Sequence, residues 1–283
     1  MVEIFVFLFP PFIACLLMVL MFGYLGIHVL KREIIFIDIA LAQMAAVGST
    51  LAFVIWHVEE DHPFAFLAAF GFTVLAALFY AHVGKRIRQI PHEAIIGVSY
   101  AVAAAASLFM LALAAGGDVH LENMLTGSIL WVKWPDIFIC ALSFGLIGLL
   151  HYIFRHRFIR LSESMERSDY HEKSPWWDFL FYVTMGVVIT LSIRIAGVLV
   201  IFTLLIIPAT FSALFKEGWG SRLKIAYALG ISATIAGLLF SYILDFSCGP
   251  SVVTFLGIGL ICGAIIHRKK GRLDQNSAKR VAN

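Results

Sequence analysis

Apolar residues run through this chain in stretches about as long as a membrane is thick, separated by short polar breaks. Hydrocarbon roughly 30 Å deep takes about 20 helical residues to cross. Nine such runs can be read, at roughly 4–27, 35–56, 64–82, 93–115, 136–154, 176–194, 195–215, 223–244 and 252–266. The pattern predicts an all-α fold, a polytopic transmembrane helix bundle of about 8–9 spans forming a single domain over residues 1–283. A cytoplasmic loop is expected at 154–175 and a cytoplasmic tail at 267–283. The segment 121–134, LENMLTGSILWVKW, is too short to span and reads as an interfacial helix with Trp131 and Trp134 at headgroup depth.

Composition strengthens this reading: 61% of residues are hydrophobic and 14% charged, more apolar than filling one soluble core requires. The first run has no basic start and no A-x-A cleavage pattern, and it is too long for a signal-peptide core, so it is expected to stay in the protein. Charge then orients the bundle. Lys31 and Arg32, Lys85 to Arg88, Arg155 to Arg160, Lys216 to Lys224 and Arg268 to Arg272 fall in alternate breaks, which marks those breaks as cytoplasmic. The other breaks, HVEEDH at 57–62, GGDVHLEN at 116–123 and 245–250, are acidic or neutral and belong outside. Nine full spans put the N-terminus outside and the C-terminus inside. Arg194 breaks the alternation: either it caps a tight outer turn by snorkelling, or the 195–215 run is partly re-entrant. The net charge of +3 lies in breaks and tail rather than along one helix face, so nucleic acid is not expected as a partner.

Little in the chain suggests catalysis. It lacks a G-x-x-x-x-G-K-[ST] phosphate loop, G-x-S-x-G, H-E-x-x-H and paired intramembrane acids. The four cysteines, Cys15, Cys140, Cys248 and Cys262, form no C-x-x-C and read as packing. Nine of the ten histidines lie at span ends or in loops, and His151 is deeper, as a satisfied buried histidine would be. Small residues four apart, Ala42/Ala46, Ala45/Ser49, Gly48/Ala52 and Gly259/Gly263, predict close helix seams. Pro208 predicts either a kink or a broken helix beside a pathway.

The most informative run is the second, KREIIFIDIALAQMAAVGSTLA, which carries Asp38 and Gln43 inside a membrane-length apolar helix. An ionisable group there costs roughly 2.5–3.5 kcal/mol on insertion scales, so it faces a partner helix or a watery path. Gln43, Ala46, Val47 and Thr50 share a face, and Asp38 lies about 140° around the helix from Gln43. Asp38 is read either as a pathway group or as an interfacial carboxylate paired with a cytoplasmic base, and Gln43 either as a pathway group or as an interhelical hydrogen bond.

Five stretches together, FIDIALAQMAAVG (36–48), EAIIGV (93–98), LTGSIL (125–130), IRIAGVLVIFTLLIIPAT (193–210) and SYILDFSCGPSVV (241–253), resemble in order and spacing the membrane permeases of zinc- and manganese-type ABC importers, the ABC-3 family. The resemblance implies a multi-pass permease of the cell's inner (plasma) membrane, related to type II ABC importers and distantly to cobalamin and iron-chelate permeases. It implies a homodimer surrounded by membrane lipid, with ATP hydrolysed on a separate ATP-binding subunit and cargo delivered by an extracytoplasmic metal-binding protein. This chain would then be no enzyme and hold no cofactor of its own. The cargo expected is a divalent transition-metal ion, zinc ahead of manganese or iron. The family's pathway aspartate and histidine align with Ile39 and Gln43, leaving Gln43 and the neighbouring Asp38 as metal-path candidates. The family's coupling helix falls in 155–174, where Arg160, Leu161, Glu163, Met165 and Glu166 are the expected contacts to the ATPase. There Leu161 and Met165, at i and i+4, would press into a groove, although the family's usual acidic, Ala and Gly pattern is missing. Two alternatives remain: the same architecture moving a metal chelate or other small solute, and a non-transporting membrane scaffold or sensor.

Overall fold

The computed structural model describes residues 2–58, 62–86, 89–112, 127, 129–166 and 174–282. Outside these lie the acidic residues of the 57–62 break, Arg88, the outer break 116–123 and the stretch 167–173. The described residues are helical, with no strand among them: α1 (Val2–Lys31), α2 (Ile37–Trp56), α3 (Pro63–Arg86), α4 (His92–Ala112), α5 (Trp134–Ile153), α6 (Arg155–Glu166), α7 (Pro175–Phe215), α8 (Trp219–Leu244) and α9 (Cys248–Ala282). Eight of these helices are long and apolar enough to cross a membrane. Residues 121–126 and 128 of the expected interfacial helix lie outside the described residues; the described remainder holds a 3-10 turn, Ile129–Trp131, with Trp131 and Trp134 both exposed.

α1 and α7 make the centre. Cys15, Met18, Phe22 and Leu25 of α1 and Phe181, Met185, Val188 and Leu205 of α7 are all buried in the core. At the periphery, Phe138, Leu142, Leu146 and Leu149 line one face of α5 and are exposed, as a lipid-facing stripe requires. The small-residue seams form as expected: Gly48 packs on the backbone of Ala68 and Ala69, Gly259 on Leu229, and Gly263 on the Phe211 ring.

The 41 residues of α7 are the main departure from a row of simple spans. A straight helix of that length would reach roughly 62 Å at 1.5 Å per residue. Yet Asp178, at its start, bonds Arg32, while Trp219, just past its end, packs tilted against the His28 ring at 4.6 Å. Both ends therefore meet the last turn of α1, and the chain must double back between them. The reversal is at Gly197, whose φ of 73° and ψ of 163° are non-helical. α7 is thus a helical hairpin whose two limbs correspond to the sixth and seventh apolar runs. Its buried tip is covered by Gly127, where a Cβ would fall inside the Ala196–Gly197 peptide. The turn at Ile129–Trp131 that follows brings Trp131 against Phe7, which in turn meets Tyr242. These residues belong to the ends of α1 and α8 that the charge pattern places outside, so exposed Arg194 sits one turn from an outer tip. Pro208 lies within the regular second limb; the break falls at Gly197 instead, because only glycine adopts that backbone conformation freely.

Candidate functional site

Two polar arrangements stand out in an otherwise apolar bundle. The first is the half-exposed stripe along α2, where Ile39, Gln43 and Val47 recur at helical spacing between buried alanines. Gln43 donates its side-chain Nε2–H to Ser107 Oγ on α4 at 3.0 Å, so the interhelical bond is real and the side chain is held in place. Asp38 is turned away from this stripe. It is 1% exposed, and the base nearest in sequence, Arg32, is committed to Asp178, so the carboxylate paired with a cytoplasmic base is not found. Asp38 and Gln43 are not brought together by the fold, as the angle between them on an ideal helix requires.

The second arrangement is a buried polar node on the side marked cytoplasmic. It joins five helices. Ser162 of α6 lies with its Oγ 2.8 Å from His28 Nδ1 and accepts the Arg32 Nε–H at 2.9 Å. Arg32 Nη1 donates to Asp178 Oδ1 at 3.0 Å, and its guanidinium lies 4.0 Å from the centre of the Phe181 ring. From α8, Trp219 donates its Nε1–H to Glu163 Oε1 at 2.8 Å. On the other side of α6, the Phe158 ring stacks flat on His151 at 4.1 Å, and His151 Nε2 lies 2.9 Å from Thr184 Oγ1. His151 is thus the satisfied buried histidine that its depth suggested. Every ionised group in the node has an opposite charge or a donor beside it, which low-dielectric surroundings demand.

The geometry places each of the residues expected to contact an ATPase. Leu161 is 5% exposed and packs inward, because the helix turns Phe158, Leu161 and Ser162 toward the bundle. Glu163 spends its carboxylate on Trp219 within the same chain. Arg160 is exposed and Met165 half-buried, so the outward face is basic rather than an apolar knob. The backbone of Glu166 ends the helix. Beside Arg160 an open groove is lined also by Arg157, Leu161, Ser174 and Trp177, so Leu161 keeps one edge on the groove. Sequence reading missed the node altogether. His28 and Arg32 are a helical turn apart at one span end, but Ser162 lies in the polar 154–175 segment and Asp178 at the start of the next run, so each looks like an ordinary boundary or loop residue.

Among the described residues no three His, Cys, Asp or Glu side chains converge as a metal centre would need. The cysteines there are free, with Cys15, Cys140 and Cys248 buried.

Comparison with known proteins places these features. The family model described as the ABC 3 transport family matches residues 4–267. A protein of Chlamydia pneumoniae named a probable metal transport system membrane protein is 24% identical over 93% of this chain and 89% of its own length. A manganese transport system membrane protein of Halalkalibacterium halodurans is also 24% identical, over 85% of this chain and 80% of its own. The fold is that of PsaBC from Streptococcus pneumoniae, solved in complex with Fab, with a TM-score of 0.74 at 22% identity over 91% of this chain and 90% of that one.

Proposed function

The chain belongs to the ABC 3 transport family, and we propose that it is the membrane permease of an ATP-driven importer for a divalent transition-metal ion. The observation that carries this reading is the wiring of α6. A bundle with no nucleotide motif of its own holds one cytoplasmic helix by side-chain bonds to the end of α1 and to α8 and by ring contacts to α7, so force applied to that helix reaches the membrane core. A separate ATPase docking on the exposed Arg157 and Arg160 face of α6 would drive the cycle, with ATP bound there and not here. An extracytoplasmic binding protein would supply the ion at the outer end, near the hairpin tip. A second copy of the chain would close the path in the inner membrane.

Manganese is placed ahead of zinc. One relative is a manganese transport system membrane protein, and α2 offers carboxylate and amide oxygens where zinc would favour imidazole or thiolate. A chelate is the second reading, favoured because Ile39 and Gln43 put no ionised ligand on the half-exposed face of α2. Uptake into proteoliposomes holding this chain, its ATPase and its binding protein separates the two. Free Mn(II) or Zn(II) should accumulate only with ATP; accumulation of chelates alone supports the second reading, and none at all removes both.

Two variants follow from the geometry. Arg160→Glu is expected to keep the protein folded and to cut ATP-dependent uptake at least tenfold by weakening ATPase binding; undiminished uptake would remove the α6 docking face. Gln43→Leu breaks the bond to Ser107, worth about 0.6 kcal/mol in membrane bundles, and is expected to slow uptake several-fold. An unchanged rate would leave Gln43 as packing alone.

A further inference from the structure

The groove beside α6 takes no part in the buried node, although Trp177 gives the two a common wall. Arg157, Arg160 and Leu161 of α6 line it together with Ser174 and Trp177 at the start of α7. Its polar lining is rich in donors. A guanidinium offers five N–H groups and no acceptor, and an indole offers one N–H. Both arginines are exposed, and among the described residues neither has a hydrogen bond or an acidic partner. Ser174 holds the N-cap position of α7, yet its side chain makes no capping bond, so the hydroxyl is uncommitted there too. Residues three apart on a helix are neighbours, so the two like charges repel each other until an anion lies between them.

The size and surroundings of the groove select the kind of anion. At about 220 Å³ it is smaller than the roughly 300–1,000 Å³ of pockets that enclose drug-sized molecules, so it suits a phosphate group rather than a whole nucleotide. It also borders the lipid-facing side of the bundle. The exposed stripe of α5 runs through Leu146 and Leu149 to Ile153, one residue before Phe154. Phe154 is itself exposed, and its ring meets the Trp177 wall at 5.1 Å, so an apolar track leads from the α5 stripe to the edge of the groove. Tyr152 and Trp176 are exposed at this end, where aromatic residues mark the membrane interface. A molecule with both a phosphate and acyl chains uses the groove and the track together. Free phosphate would use only the first.

We propose that this groove holds the phosphate of an anionic phospholipid from the cytoplasmic leaflet, bridged by Arg157 and Arg160, with the acyl chains laid along the exposed stripe of α5. Basic pockets beside membrane helices on the cytoplasmic side recognise anionic headgroups in this way. The Ser174 hydroxyl and the Trp177 indole N–H are further donors to the headgroup. Bound lipid adds a polar tie between α6 and α7, which meet through the Phe158, Trp177 and Phe181 rings. The site needs no ATPase and does not rest on the importer reading. Nor does it displace the ATPase, because five donors on each guanidinium leave some for a partner arriving from the cytoplasm.

Native mass spectrometry of the full-length chain, purified in detergent and titrated with dioleoylphosphatidylglycerol or dioleoylphosphatidylcholine, counts the bound lipid. One phosphatidylglycerol per chain is expected to bind about tenfold or more tightly than phosphatidylcholine, and Arg157→Gln and Arg160→Gln are each expected to lower that preference about fivefold. Arg155→Gln removes the same charge from the same helix outside the groove, where its guanidinium lies 4.8 Å from the centre of the Tyr152 ring, and should leave the preference intact. All three positions are exposed, so the variants are expected to unfold at the parent temperature. Equal binding of the two lipids by the parent chain, or an equal loss in Arg155→Gln, overturns the site. Inorganic phosphate that displaces the lipid at matched concentration would assign the groove to a free anion and overturns the lipid as well. Uptake in proteoliposomes is read separately, so a chain that binds phosphatidylglycerol through Arg157 yet carries no metal keeps the lipid site and loses the importer reading.

Discussion

Replacing Asp178 by alanine is expected to destabilise the protein by about 3–5 kcal/mol, the usual cost of stranding one member of a buried ion pair. The Arg32 side chain is 0% exposed and Asp178 6%, so water cannot take over when the carboxylate goes. Arg32 would keep its bond to Ser162 and its seat over Phe181, which fix the guanidinium in place and prevent it from swinging out to solvent. Thermal unfolding in detergent, followed by loss of monodisperse protein, measures the effect. The double variant Arg32→Met, Asp178→Leu should recover most of the loss, since a well-packed apolar pair often matches a buried ion pair. If the single variant unfolds at the parent temperature, the pair is ornamental and the node is held by its aromatic rings. Recovery of stability without recovery of uptake would show that the pair serves coupling rather than folding.

Gly197→Ala is the second large effect. At φ 73° and ψ 163° the residue occupies a region that is almost exclusively glycine's, and a side chain there costs about 1–3 kcal/mol. Relief by local rearrangement is blocked, because the Ala196–Gly197 peptide is already covered by Gly127, itself at φ 65°. The strained tip is expected to pry the limbs of the hairpin apart and to cut uptake more than stability, since the limbs flank α1 and α2. Crosslinking of cysteines introduced at the outward ends of α1 and α8 would report a displaced tip. Pro208→Ala serves as the contrast: it lies inside a continuous helical limb and should change little.

Much of the bundle could be read directly from the pattern of apolar runs, because a membrane imposes both their length and their polarity. The limbs of α7 illustrate what pattern reaches and what it does not. Arg194 announced that something turned there, and the doubled run announced two crossings, yet the turn itself is one glycine among 22. Gln43 was visible as a polar residue in an apolar helix, whereas its partner, Ser107, sits on α4 and comes into view only when the helices pack. α6 shows the opposite failure. Its i, i+4 pair Leu161 and Met165 suggested an outward apolar face, but an amphipathic helix at a membrane surface has two candidates for its apolar side, and the bundle claimed Leu161.

The bonds that tie Ser162 to the end of α1 and Glu163 to α8 also set a thermodynamic rule for the molecule. A helix held this way has few positions of its own, so occupancy at its outer face and the arrangement of the core form one linked equilibrium. Linkage is symmetric in binding free energy. Whatever factor a docked ATPase applies to cargo affinity inside the bundle, bound cargo must return to the affinity of the ATPase. A cargo-loaded permease and an empty one should therefore hold their motor with different strength, and the ratio would measure, without any turnover, how much of the stroke passes through α6.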